Sequence, residues 1–238
     1  MPSRRQLLPV IRLALAGPEP GPALAALAAL PEVSPAVRLG PLFSLLLDRD
    51  PLTAWRAVTA FGAAMADLAA ARLEDAREVW RNLMWRVNEE SGNIAWGIPQ
   101  CMGETLARIP VLADDYHRIL ISYVQDLDGD CTYIDHAPLR RGSWWAVGRL
   151  AEAAPQLAAR ALPELSAAVA DCDGEARGLA CLALARLKPD PSRSLLAALT
   201  AAADDPFPFD FYDGWQLVPM TVGQAAKDAL TALRHCGA

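Results

Sequence analysis

The run Ala54-Trp55-Arg56-Ala57-Val58-Thr59-Ala60-Phe61-Gly62 is matched without gaps by Ala95-Trp96-Gly97-Ile98-Pro99-Gln100-Cys101-Met102-Gly103. Each run ends on a large apolar residue followed by glycine. The same pairing of an apolar with a small residue returns at Val147-Gly148, Leu184-Ala185 and Leu230-Thr231, so the second positions step by 41, 45, 37 and 46 residues. A small residue at a repeated place lets one helix approach the next closely, and a period of roughly 40–47 residues is that of a pair of helices in a stacked array.

Working outward, apolar spacing at three and four residues and punctuation by Pro, Gly and Asp predict helices over 3–16, 22–30, 35–47, 51–69, 73–90, 94–109, 112–127, 138–153, 156–170, 174–187, 191–204 and 221–234. Turns such as Asp48-Arg49-Asp50-Pro51 and Lys188-Pro189-Asp190-Pro191 end helices, with proline where a helix stops or at a first turn. The fold predicted is all-α, a HEAT-like α-α superhelix (solenoid) of about six helix pairs, as one domain over 1–238. Its first 70 residues carry no diagnostic motif, and residues 71–238 carry those described below. A single amphipathic bundle is the competing architecture. No sheet is expected beyond a short hairpin in the loops.

Composition agrees. Hydrophobic residues make up 53% of the chain, charged ones 21% and aromatics 7%, which supplies a core and excludes a disordered chain. The net charge of −6 arises from 22 basic and 28 acidic residues with no basic stripe, poor footing for a phosphate backbone. Cys101, Cys131, Cys172, Cys181 and Cys236 are an odd number without a CxxC pair, so reduced thiols are expected and Cys101, Cys172 and Cys181 read as small core residues. Ser3-Arg4-Arg5 has the outline of a twin-arginine signal, but Arg12 breaks the following apolar run, and an opening helix capped by Ser3 is the better reading. With no apolar stretch of membrane-spanning length, a soluble, cytoplasmic protein is expected.

The least generic segment is Leu83-Met-Trp-Arg-Val-Asn-Glu-Glu-Ser-Gly-Asn-Ile-Ala-Trp-Gly97. At 100° per residue Ala76, Val79, Trp80, Leu83 and Val87 share one face, with Trp85 nearly opposite and expected against a neighbouring repeat. On the next helix Ala95, Ile98, Met102, Leu106 and Ile109 form the core stripe, leaving Trp96, Gln100 and Glu104 to its side. Asn88, Glu89, Glu90, Ser91, Gly92 and Asn93 read as the turn, with Gly92 the breaker and Asn93 a cap. Glu89 and Glu90 oppose the helix dipole and are expected to pair with Arg81, Arg86 or a partner.

This segment, with Arg141-Gly-Ser-Trp-Trp-Ala-Val-Gly-Arg-Leu-Ala151, Arg177-Gly-Leu-Ala180 and Thr221-Val-Gly223, resembles a bacterial family of HEAT-repeat proteins over roughly residues 75–234. The resemblance implies the repeat fold and a special role for the central repeat. It brings no reaction and no catalytic residues.

Two connections exceed what a helix turn needs, Asp128–His136 and Asp204–Trp215, and insertions of this kind map to a binding face in repeat proteins. Asp126, Asp128 and Asp130 lack the glycine placement and terminal glutamate of a calcium loop. His117, His136 and Cys131 are too scattered for a ligand motif, so neither metal nor cofactor is expected. The function expected is a non-catalytic binding or scaffold protein presenting a concave repeat surface to a protein partner. Trp96, Gln100, Glu104, Tyr133, Asp135, His136, Arg140, Arg141 and Trp145 are the candidate contacts; Trp144 is assigned to packing and Trp145 to the surface beside Arg141. Trp80, Trp85, Asn88, Glu89, Glu90 and Ser91 are assigned to the central structural motif. The alternative is an enzyme resembling the HEAT-like DNA glycosylases, which read damaged DNA with aromatic and arginine side chains; the acidic balance opposes it.

Overall fold

The structure is a computed structural model that describes residues 2–88, 95–127 and 132–234. The expectations for Glu89, Glu90, Ser91, Gly92 and Asn93, for Asp128, Asp130 and Cys131, and for Cys236 lie outside the described residues. The chain is built mainly of α-helices, and the described residues add one two-stranded hairpin. No described helix is long and apolar enough to cross a membrane.

The chain packs as two compact units. The first comprises Met1–Ile109 with Tyr212–Leu217. Its helix α1 (Arg4–Leu15) starts on a capping box: Ser3 Oγ accepts from the backbone of Gln6, whose side chain accepts from the backbone of Ser3 at 2.8 Å. Leu7, Ile11 and Leu15, four residues apart, are its buried stripe. Helices α2 (Pro20–Ala28) and α3 (Pro35–Leu45) open on proline, whose missing N–H is no loss in a first turn. Helix α4 (Pro51–Ala71) is capped by Asp50, whose carboxylate accepts from Thr53 N at 3.1 Å. It lies at the centre of the unit, packed by α1, α2, α3, α5 (Leu73–Val87) and α6 (Ile98–Arg108), and is buried from Arg56 through Gly62 without a break.

The second unit comprises Pro110–Phe211 with Val218–Ala238. Its helices are α7 (Pro110–Ser122), α8 (Ala137–Ala153), α9 (Pro155–Ala158), α10 (Leu162–Ala168), α11 (Gly174–Leu187), α12 (Arg193–Ala202) and α13 (Val222–Arg234). The single helix expected over 156–170 is broken by a 3-10 turn at Ala159–Ala161. Helix α11 takes the central place, between α8 and α13. The helices bearing the apolar–small pairs therefore meet one another, α4 on α6 in the first unit and α8 on α11 on α13 in the second. A Cβ on Gly148 would stand 3.4 Å from Ala183 of α11, and one on Gly62 only 2.5 Å from Glu104 of α6. On α13 the pattern lapses, since Thr231 is exposed.

Strands β1 (Pro208–Tyr212) and β2 (Leu217–Thr221) form the hairpin. Its turn is drawn tight by Asp213, whose Oδ1 accepts from Trp215 N at 3.2 Å and Gln216 N at 3.0 Å, while Gly214 takes a φ of +112° that a side chain would resist.

Candidate functional site

In the first unit the turn after α3, the start of α4 and the start of α6 enclose a pocket of about 400 Å³. Leu46, Leu47 and Asp48 form one wall, Pro51, Ala54, Trp55 and Val58 a second, and Trp96, Gly97 and Gln100 the third. Local sequence sets each wall. Asp48 is held by Arg12, which donates to its two oxygens at 2.7 and 3.1 Å, and its Oδ1 also accepts from Asp50 N at 3.0 Å. The Arg12 hydrogen bond keeps the Asp48 carboxyl below its ordinary range. Asp50 is lowered too, first by its bond from the Thr53 hydroxyl.

Gly97 enters α6 with φ +75°, and a Cβ there would press on Leu46 at 3.1 Å, so a larger residue is opposed by both backbone and space. Trp55 stacks on Tyr212 with ring centroids 5.0 Å apart and planes 15° from parallel. Tyr212 Oη lies 2.8 Å from Thr59 Oγ1 and donates to Gly214 O at 2.9 Å; burial raises its pKa. The buried Arg56 donates to Trp215 O at 3.0 Å and Leu15 O at 2.8 Å, with its guanidinium 4.9 Å from the Trp215 ring centre. Trp215 Nε1 donates to Gly17 O at 3.0 Å.

The pocket is apolar, with aromatic walls and a small polar content. Leu47 is 65% and Trp96 39% exposed at its mouth. Gln100 Oε1 is buried and accepts from no described residue, a costly state for an amide oxygen. No lysine or arginine is among the described residues that line it.

Of the residues expected to bind, Trp96 and Gln100 meet here. Glu104, one turn further along α6, does not reach the surface: it is 2% exposed and accepts from Arg108 Nε at 2.7 Å. The rest of the set lies in the second unit. Tyr133 is half-buried with the Arg140 guanidinium 5.0 Å from its ring centre. Arg140 also donates to the carbonyls of Ile134 at 2.7 Å and Asp135 at 2.9 Å, which fixes the approach to α8, whose N-cap position is taken by the exposed His136. Arg141 is drawn into the fold, bonding Asp173 at 2.7 Å and Glu175 at 3.1 Å. Asp173 is the cap of α11, accepting from Glu175 N and Ala176 N. Burial raises the Glu175 pKa against the opposing pull of Arg141.

Three expectations are corrected. Trp145, assigned to the surface, is 5% exposed, as buried as Trp144 at 4%. Helix α8 is packed by α7, α9 and α11, so the side of the helix that periodicity leaves over is covered as well. Trp85, assigned to packing, is 60% exposed, whereas Trp80 of the same motif is fully buried. Cys172 is exposed, in contrast to Cys101 and Cys181. Asn88 follows α5 as its C-cap and is exposed.

The residues that sequence reading missed are Leu46, Leu47, Trp55 and the Arg56, Thr59, Tyr212 and Trp215 cluster. A signal existed for the last two, since Asp213-Gly214 between runs of aromatic and apolar residues marks a hairpin turn.

No family model matches the chain, and no curated protein matches it. Among solved structures it is similar to a designed armadillo repeat protein at 17% identity, covering 95% of this chain and 99% of that one with a TM-score of 0.45. It is similar to an engineered protein at 15% identity, covering 96% of each with a TM-score of 0.47. A designed armadillo repeat protein in complex with the peptide (KR)4 has 16% identity, covering 95% and 99%, with a TM-score of 0.45.

Proposed function

We propose that this chain is a non-catalytic binding module that takes an apolar side chain of a protein partner into the pocket between α3, α4 and α6. The observation that carries the reading is the open apolar pocket whose mouth leaves Leu47 and Trp96 in solvent. Aromatic anchors in a concave apolar site are where binding energy concentrates. Gln100 Oε1 would accept a hydrogen bond from a backbone N–H of the entering segment, which removes the cost of leaving it unmet and orients the segment. The absence of arginine or lysine among the described lining residues speaks against a nucleic-acid backbone as occupant. Trp96 and Gly97 are the end of the motif on which the likeness to the bacterial HEAT-repeat family rests, so the central repeat of that resemblance and this pocket coincide.

A displayed library of short peptides, selected on the full chain, tests this. The expected outcome is enrichment of peptides with a single leucine, phenylalanine or methionine anchor, and loss of binding by about tenfold or more in Trp96→Ala or Leu47→Asp. Enrichment of basic or acidic peptides without an apolar anchor, or binding by both variants as tight as that of the unsubstituted chain, would refute it.

A further inference from the structure

A second cavity, of about 250 Å³, lies in the first unit among α1, α2, α3 and α4. Its walls are Ile11, Leu24, Leu27, Leu42 and a set of alanines from α2 and α4, with Arg38 and Asp67 the two charged residues among the described lining. Arg38 is 5% exposed. Its Nη2 donates to Asp67 Oδ2 at 2.7 Å, but Asp67 stands 45% exposed, and Arg38 Nε is buried without an acceptor among the described residues.

A guanidinium cannot shed its charge, so a protein that buries one against aliphatic walls with a donor unmet leaves a strong local demand for an anion. Asp67 answers part of that demand from the solvent side. We infer that this cavity is a binding site for a small amphiphilic monocarboxylate, its carboxylate on Arg38 and its apolar tail between α1 and α2.

Three features select that chemistry. Arg38 Nε lacks one acceptor, and a carboxylate oxygen supplies a charge-assisted one. A dianion such as phosphate would face the Asp67 carboxylate with only one cation to balance it. The volume exceeds the roughly 150 Å³ that holds a benzene ring, which suits a tail of a few carbons and excludes a long lipid. The site is separate from the pocket of the proposed partner and does not depend on it.

Hexanoate, hexanol and hexylamine, titrated into the full chain with calorimetry and thermal unfolding as readouts, test the inference. Hexanoate is expected to bind about tenfold more tightly than hexanol, the preference one charge-assisted hydrogen bond supplies, and hexylamine not at all. Arg38→Met should erase the preference of acid over alcohol. If that variant does not fold, Asp67→Asn and Ala28→Trp keep the question answerable. The first frees the guanidinium from its competitor and should tighten hexanoate several-fold; the second, at an exposed wall position, should block entry. Equal affinity for acid and alcohol, no binding of hexanoate, or hexanoate binding unchanged or weakened by Asp67→Asn would overturn the assignment.

Discussion

Replacing Gly62 with alanine tests the close approach of α4 and α6. In a helix interior the change alone favours folding by about 0.5–1 kcal/mol, because glycine loses more backbone freedom. Here the added methyl would meet Glu104 Cγ at 2.5 Å, Arg108 Cδ at 3.1 Å and Arg108 Nε at 3.2 Å. Glu104 is buried and joined to Arg108 at 2.7 Å, so neither side chain can yield without disturbing the other. Overpacking of this kind costs about 1–3 kcal/mol, which outweighs the helix gain and leaves Gly62→Ala about 1–2 kcal/mol less stable. For a chain of this length that lowers Tm by about 2–8 °C.

A double-mutant cycle by calorimetry separates the two effects. In a Glu104→Ala background Arg108, already 29% exposed, can turn to solvent and the methyl has room. Gly62→Ala should then be neutral or stabilising, a coupling of about 2 kcal/mol. Gly148→Ala, whose methyl would sit 3.4 Å from Ala183 Cβ, should be close to neutral on its own. If Gly62→Ala raises Tm with Glu104 in place, the contact between the paired helices is not the close one described.

Trp80→Ala and Trp145→Ala should each cost about 3–5 kcal/mol in urea unfolding, whereas Trp85→Ala at its exposed site should stay within about 0.5 kcal/mol; a Trp145 loss as small as that of Trp85 would contradict its burial. Gly223→Ala should destabilise by about 3 kcal/mol, since its methyl would meet backbone oxygens that cannot turn away, Ala203 O at 2.6 Å and Asp205 O at 3.0 Å. On the alkaline side, burial pushes the Cys181 thiol up to about 12 and raises Cys101 well above its ordinary value, in the latter case with Glu104 adding to the effect. An unfolded thiol ionises near about 8.5, so the unfolded chain holds fewer protons above that point and stability should fall as pH rises from about 8.5 toward the folded values. Urea midpoints at about pH 8 and about pH 10.5 should show that fall and a smaller one in the Cys101→Ala/Cys181→Ala variant.

The helices were legible because what makes them is local. Ser3 with Gln6, Asp50 with Thr53, and prolines at first turns act within one turn of chain, and periodicity names one buried face, as for Ala76, Trp80 and Leu83. The stepping of small residues marked the meeting of α4 with α6 and of α8 with α11, since close approach requires a missing side chain on one helix, as at Gly62 and Gly148, but it lapses on α13. Periodicity set Trp96 and Gln100 beside the apolar stripe, and both line the pocket, Gln100 from α6 and Trp96 from the turn before it.

Periodicity does not say how many sides of a helix are covered. Trp145 and Trp85 are both off the stripe, yet α8 is packed by three helices and buries the first, while α5 leaves the second in solvent. Nor does any local signal join Arg56 to Trp215, whose hydrogen bond spans 159 positions. The pocket gathers a turn after α3, one side of α4 and the first residues of α6, and the demand of Arg38 for an anion arises only once three other helices have enclosed it. Backbone propensity and amphipathic period are properties of short segments and can be read from the sequence. Cavities, unmet donors and covered faces belong to the meeting of segments, and only tertiary packing decides them.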